Sequence, residues 1–378
     1  MENYISALQF DCSTDSAKIQ MAIQKAKSEG VNKVIIPKKD TPWIITETIS
    51  LPDDIEILID GAHLVLADDT FINMFATENY LAKEKRQQRN IEIHGKNGAV
   101  LDGGKYNGLS EFKHNEKGIH ISVNTTMIFY YTENLNVHDL KLINQRWWAI
   151  TNIFVENSSY KNIEFKADIS RIDENGVHYP DQLPNIYNEI YVKNADGIDL
   201  RIGCNNITIE NITGFTEDDT VALTALGGFE KPLIPEGKCT DIHNISIKNV
   251  ASDCYICSNV RILCGRRHKV HDITIDGVTD TRTNARYMSK ATVRIGDVLY
   301  ATESLSQKGD IYNITVKNVV SKGIAGVSLC RPIKDSVFEN ITNQNPPFVP
   351  VDIIHNAELE NVSFKNLHSD FSKICNIK

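Results

Sequence analysis

The chain has 378 residues, of which 41% are hydrophobic and 24% charged, and it carries a net charge of −9 at neutral pH. That composition suits a folded protein with a sizeable apolar core. The acidic balance argues against nucleic acid or an anionic membrane surface as the main partner, although a small local group of Arg and Lys can still hold an anionic ligand.

The amino terminus, Met1-Glu2-Asn3-Tyr4-Ile5-Ser6, has no basic stretch followed by an apolar one. No secretion signal is read there, and a cytoplasmic protein is expected unless a leader has been removed. No window approaches the ~20 apolar residues of a membrane helix. After the N-cap candidates Asp11 to Asp15, Ile19, Ala22, Ile23 and Ala26 recur at helical spacing. This predicts a helix over about 16–28, stopped by Gly30. Lys33-Val34-Ile35-Ile36-Pro37 then reads as a short buried strand. A helix followed by strands suits a cap, over about residues 1–50, that closes the end of a solenoid.

Beyond the cap the chain repeats. Asn90-Ile91-Glu92-Ile93, Asn134-Leu135-Asn136-Val137, Asn162-Ile163-Glu164-Phe165 and Asn206-Ile207-Thr208-Ile209 share one phrase, a polar turn residue before alternating apolar ones. Asn244, Asp272, Asn313 and Asn361 open four more, and several are followed by a second phrase such as Lys248-Asn249-Val250. Strand-only repeats at this period predict one all-β domain over 1–378, a single-stranded right-handed parallel β-helix with a short capping helix. Apolar residues at period two point inward, and each Asn marks a bend where it tolerates left-handed backbone. The same phrases match the Asn-x-Ser/Thr glycosylation pattern, for which the turn chemistry is the preferred account. The polar stretch 167–189 interrupts the repeat, with Arg171, Asp173, Glu174, His178, Tyr179, Pro180, Asp181 and Pro184. Such an insertion is either a wall of a binding cleft or a surface excursion.

Two acidic phrases stand out in mid-chain, Asn194-Ala195-Asp196-Gly197-Ile198-Asp199 and Glu217-Asp218-Asp219-Thr220. Asp196 and Asp218 are separated by about one coil, so they can stack on one face. Hydrolysis of a glycoside needs one carboxylic acid to protonate the leaving oxygen and a carboxylate to activate water or attack. Crowded carboxylates raise one another's proton affinity and keep an acid protonated near neutrality. Acidic turn residues or a calcium site would use the same oxygens.

At these residues the sequence resembles the polygalacturonases of glycoside hydrolase family 28, over most of its length. Asp15 to Pro37 is similar to that family's cap, and Gly61-Ala62-His63-Leu64 and Leu101-Asp102-Gly103-Gly104 resemble its early coils. Asn144-Gln145-Arg146-Trp147-Trp148 resembles its Asn-Ser-Pro-x-Trp turn. Its Asn-Thr-Asp-Gly motif appears as Asn194 to Gly197, and its Asp-Asp motif as Asp218-Asp219 after Glu217. The resemblance implies an inverting hydrolase, with Asp218 the general acid and Asp196 and Asp219 activating water. Its Gly-His-Gly falls near Cys257-Ser258-Asn259, without a histidine, and its Arg-Ile-Lys at Arg294-Ile295-Gly296, without the lysine. In the family that basic pair grips the substrate carboxylate; here Arg261 is a replacement for the lost cation.

Further substrate contacts are expected from Asn194, Asp199, Glu217, Arg261 and Arg294, from Arg266 and His268 of the basic run Arg266-Arg267-His268-Lys269, and from Trp148 stacking on a sugar. Cys254, Cys257, Cys264, His268 and His271 have zinc-like ingredients, but one Cys-x-x-Cys is a weak signal, and reduced buried thiols are expected for the eight cysteines. The expected protein is therefore a glycoside hydrolase without metal or cofactor, monomeric or a low-order oligomer. Its substrate would be a pectin-like or other plant-derived oligosaccharide, probed from one end. A uronic-acid lyase or epimerase, or a binding module without activity, is the rival reading.

Overall fold

The computed structural model describes residues 3–104, 118–172, 177–179, 182, 195–283, 287–298, 305–354 and 357–369. The chain divides into two compact units, Met1–Asn152 with Ser158–Ala195, and Ile153–Asn157 with Asp196–Lys378. Both are built from coils of right-handed parallel β-helix. No described helix is long and apolar enough to cross a membrane.

In the first unit the capping helix runs Asp15–Glu29. Thr14 caps it by accepting the Ala17 N–H, and Gly30 ends it at φ 68°. The left-handed backbone there costs a glycine no Cβ clash. Ile19, Ala22, Ile23 and Ala26 are its buried stripe. A second, five-residue helix, Glu78–Ala82, is too short to leave a periodic signal in the sequence. Three parallel strand columns follow. Val34, Ile57, Ile93 and Val137 are register partners down one of them. Trp43, Leu64, Leu101 and Leu142 align down the second, and Ile49, Phe75 and Met127 down the third. All of these side chains are fully buried, each stabilising the stack by about 1.5–3 kcal/mol relative to exposure.

The second unit repeats the design. Ile207, Ile245, Ile273 and Ile314 stack in one buried column. Val221, Val260, Val293 and Val327 stack in another. The eight turn residues that open the repeated phrases all lie in the left-handed region, at φ 52–57°. Their side chains form rungs between coils: Asn244 Nδ2 donates to Asn206 Oδ1 at 3.0 Å, and Asn206 Nδ2 to Asn157 Oδ1 at 3.1 Å. A parallel ladder joins Asn366, Asn340 and Asn318 at 2.9 and 3.0 Å.

Part of the insertion lies outside the described residues, including Asp173, Glu174, Pro180, Asp181 and Pro184, as does Asn194. Within it, Arg171–Ile172 pairs antiparallel with His178–Tyr179.

Candidate active site

The site belongs to the second unit and is set by strand register. Ile198–Leu200 pairs with Val221–Ala225, Ile198 opposite Val221. Just before these strands, Gly197 N–H donates to Asp219 O at 2.9 Å and Asp219 N–H donates to Asp196 Oδ1 at 3.2 Å. Asp196 therefore stacks on Asp219, 23 residues on, and Asp218 takes the neighbouring position.

Asp196, Asp199 and Asp219 are buried, whereas Asp218 is half-exposed. Burial, and then the charges of Asp199, Asp218 and Asp219, push Asp196 well above the usual carboxylate range. Asp199 is completely buried; burial raises it to about 6, against the pull of Arg201 and of a hydrogen bond with Asp196. The proximity of the two carboxyls thus adds to the rise of Asp196 and moderates that of Asp199. Behind them Arg201 pairs with Asp199 at 3.5 Å and donates from Nε to Glu230 at 2.7 Å. Asp199 thus orients Asp196 from within the fold and has no surface to offer a ligand.

Asp219 is held from the other side. Its Oδ1 accepts from Ser258 N–H at 3.1 Å and its Oδ2 from Arg261 at 3.4 Å. Burial raises it to about 7, opposed by Arg261. Both oxygens are engaged, so Asp219 is a fixed acceptor. Asp218 differs: its Oδ1 meets no hydrogen-bond partner among the described residues. One oxygen each of Asp218 and Asp219 and the Cys257 sulfur lie within 4.8 Å of one another. Burial, then Asp219 and Asp218, push the Cys257 thiol far up, so it stays neutral and accepts from Arg261 at 2.9 Å.

Arg261 and Arg294 are register partners on adjacent strands, Ser258–Cys264 and Ala291–Ile295. Asp297 joins them. One of its oxygens accepts from Arg261 Nη2 and the other from Arg294 Nη2 at 3.2 Å. The intervening Gly296 has φ 81°, and a Cβ there would lie 2.6 Å from Arg331, so glycine is what lets the chain turn Asp297 back on Arg294. Asp297, Arg201 and Glu230 escaped the sequence reading. The one available signal for Asp297 was its position three residues after a candidate arginine, across a glycine.

The remaining expected residues are less central. Glu217 is buried at 1% exposure. His268 packs on Gly227 and pairs with Thr240 at 2.9 Å, and burial lowers its proton affinity. Arg266 is exposed, and no described contact ties it to the aspartates. In the first unit Trp147 is buried and Trp148 half-exposed. Seven cysteines are free thiols, and Cys375 lies outside the described residues.

Neither a family model nor a curated protein matches the sequence. Solved structures do match in fold. An exopolygalacturonase from Thermotoga maritima aligns at TM-score 0.58 and 15% identity, over 97% of this chain and 92% of that one. The tailspike protein of Escherichia coli bacteriophage HK620, a mutant in complex with a hexasaccharide, aligns at TM-score 0.62 and 12% identity, over 95% of this chain and 65% of that one. The A-module of a mannuronan C-5 epimerase from Azotobacter vinelandii aligns at TM-score 0.53 and 13% identity, over 97% and 99%. The chain therefore shares its β-helix fold with proteins named for uronide hydrolysis, for uronide epimerisation and for holding a hexasaccharide.

Proposed function

We propose that the protein is a glycoside hydrolase of the family 28 type, acting on a pectin-like or other plant-derived oligosaccharide from one end. The observation that carries this is the division of labour among the crowded aspartates. Asp218 is the half-exposed one, with an oxygen that has no partner. It is the general acid that protonates the leaving oxygen. Asp219, anchored by Arg261 and a backbone N–H, is the base that takes a proton from the attacking water. Asp196, with Asp199 behind it, orients that water. Water adds across the glycosidic bond, one proton leaves Asp218 and one arrives on Asp219, and exchange with solvent resets the pair.

Inversion of configuration is the expected outcome, because Asp219 is committed to two donors and is a poor nucleophile. The oxygens of Asp218 and Asp219 approach more closely than the ~6.5–9.5 Å of a typical inverting pair and nearer the ~5–5.5 Å of a retaining one. The anomeric configuration of the first product is therefore the informative measurement. The test is product release from a panel of plant oligosaccharides, resolved by mass and by proton NMR, for wild type and Asp218→Asn. Addition of water with inversion, lost in Asp218→Asn, supports the proposal. Retention makes Asp219 the nucleophile. An unsaturated product replaces hydrolysis by a lyase reaction, and no product from any oligosaccharide leaves a binding module.

A further inference from the structure

Arg294, which resemblance assigns to a substrate carboxylate, and Arg261, read as the replacement for the lost cation, already hold carboxylates of their own. Arg261 is 7% exposed and Arg294 4%. Arg261 lies between Asp219 and Asp297, and its Nη1 also reaches Cys257. Arg294 donates to Asp297. Asp297 is itself 2% exposed and pinned by Val298 N–H at 2.6 Å. Two guanidinium groups thus face two carboxylates, with their forks turned toward internal partners. An arginine grips a carboxylate through that fork, and a ligand carboxylate would have to displace Asp297 or Asp219 to use it.

The surrounding charge points the same way. Beyond this neutralised group stand Asp196, Asp199 and Asp218, and the guanidinium beside them, Arg201, is already shared between Asp199 and Glu230. A further anion entering there finds the neighbouring guanidiniums already engaged, and an unpaired charge at low dielectric costs far more than in water.

We infer that the reacting subsite takes a neutral sugar ring, one without a carboxylate, and that Asp297 is the residue that sets this preference. It does so by occupying both arginines. The inference rests on the hydrolase reading for the location of the reacting ring, but its test is one of binding and does not require turnover.

The probe is a matched pair: an oligosaccharide of galacturonic acid, and the same oligosaccharide with its carboxyl groups chemically reduced to alcohols. A set of neutral plant oligosaccharides extends the comparison. Each is titrated calorimetrically into the full chain carrying Asp218→Asn, and separately offered to wild type for turnover. The reduced or another neutral form should bind at least ~10-fold more tightly than the acid form, a difference of about 1.4 kcal/mol. Adding Asp297→Asn should release the arginines and tighten the acid form by a similar factor, leaving the neutral form unchanged. Equal or tighter binding of the acid form by the Asp218→Asn protein overturns the inference, whether or not the second variant folds. So does failure of every neutral oligosaccharide to bind. Neutral binding without turnover by wild type retires the hydrolase reading and leaves the preference standing.

Discussion

In the first unit Glu56 sits between Lys33 and His94, each 2.9 Å away, and His138 bridges Glu92 at 2.9 Å and Asp139 at 2.6 Å. Partial burial raises Glu56, but hydrogen bonds from Lys33 and His94 outweigh it and leave its proton affinity lowered. Asp139 is lowered in the same way by His138 and Asn162. In the second unit Asp199 and Asp219 also have cationic partners, yet both are raised, to about 6 and about 7. The two regions use the same chemistry on the same scaffold with opposite results. What differs is water. On the ladder of the first unit the carboxylates are only partly buried and their partners together outweigh desolvation, whereas the site in the second unit buries its carboxylates faster than it supplies cations. A coil presents some positions to solvent and folds others into the stack, and the choice of position decides whether a carboxylate is a surface tie or a stored acid.

The largest break in this contrast should come from Arg261→Met. It removes the cation from between two buried carboxylates and should cost roughly 3–5 kcal/mol, read as a lower urea midpoint at pH 7. Lowering the pH to 5 should restore part of the loss, because the orphaned carboxylates then take up protons.

Next in size is the pH dependence of Asp199. Its folded value lies above its ordinary 3.8, so its contribution to stability is fully present below about 4 and is lost as the pH rises through about 6. The loss is on the order of 2–3 kcal/mol. Asp199→Asn should flatten that part of the stability–pH curve, measured by chemical denaturation from pH 4 to 7. Glu56 has the opposite sign. Its proton affinity is lowered, so its contribution is present above its ordinary 4.5 and is lost as the pH falls below that value through the lower folded one. Glu56→Gln should cost about 0.5–1 kcal/mol at pH 7 and less at pH 4, with the difference shrinking in salt.

Between Asp199 and Glu56 in size are the asparagine rungs. Asn244→Ala loses a hydrogen bond and places alanine at φ 55°, for about 1–2 kcal/mol. Asn244→Gly should recover the backbone share and leave only the lost bond, which separates the two terms. A thermal scan of both variants checks it.

Much of the fold could be read before any coordinates. The capping helix, the first strand and all eight repeat phrases are visible because their causes are local: a 3.6-residue stripe, a period of two, and a residue that accepts left-handed backbone. The aspartates could be read for the same reason, being adjacent in sequence or nearly one coil apart. Their exact stacking could not, since a separation of 22 or 23 residues decides whether Asp196 meets Asp218 or Asp219, and no periodicity resolves one residue. Arg201 with Glu230, and Asp297 with Arg261, are 29 and 36 residues apart. Nothing in their immediate sequence marks them, and only the register of the coils brings them into contact.

That register has a guardian. The inward-facing columns are nearly uniform, isoleucine over isoleucine and valine over valine, and such columns alone would tolerate a coil sliding by two residues along its neighbour. The amide rungs would not. Each is a short side chain at a backbone conformation few residues accept, and it meets its partner only when the turns coincide. A slip would break every rung of that coil at once and open none in exchange. The asparagines thus act as an index along the stack, favouring the one register that brings Arg261, Arg294 and Asp219 to one place from three separate turns of the chain.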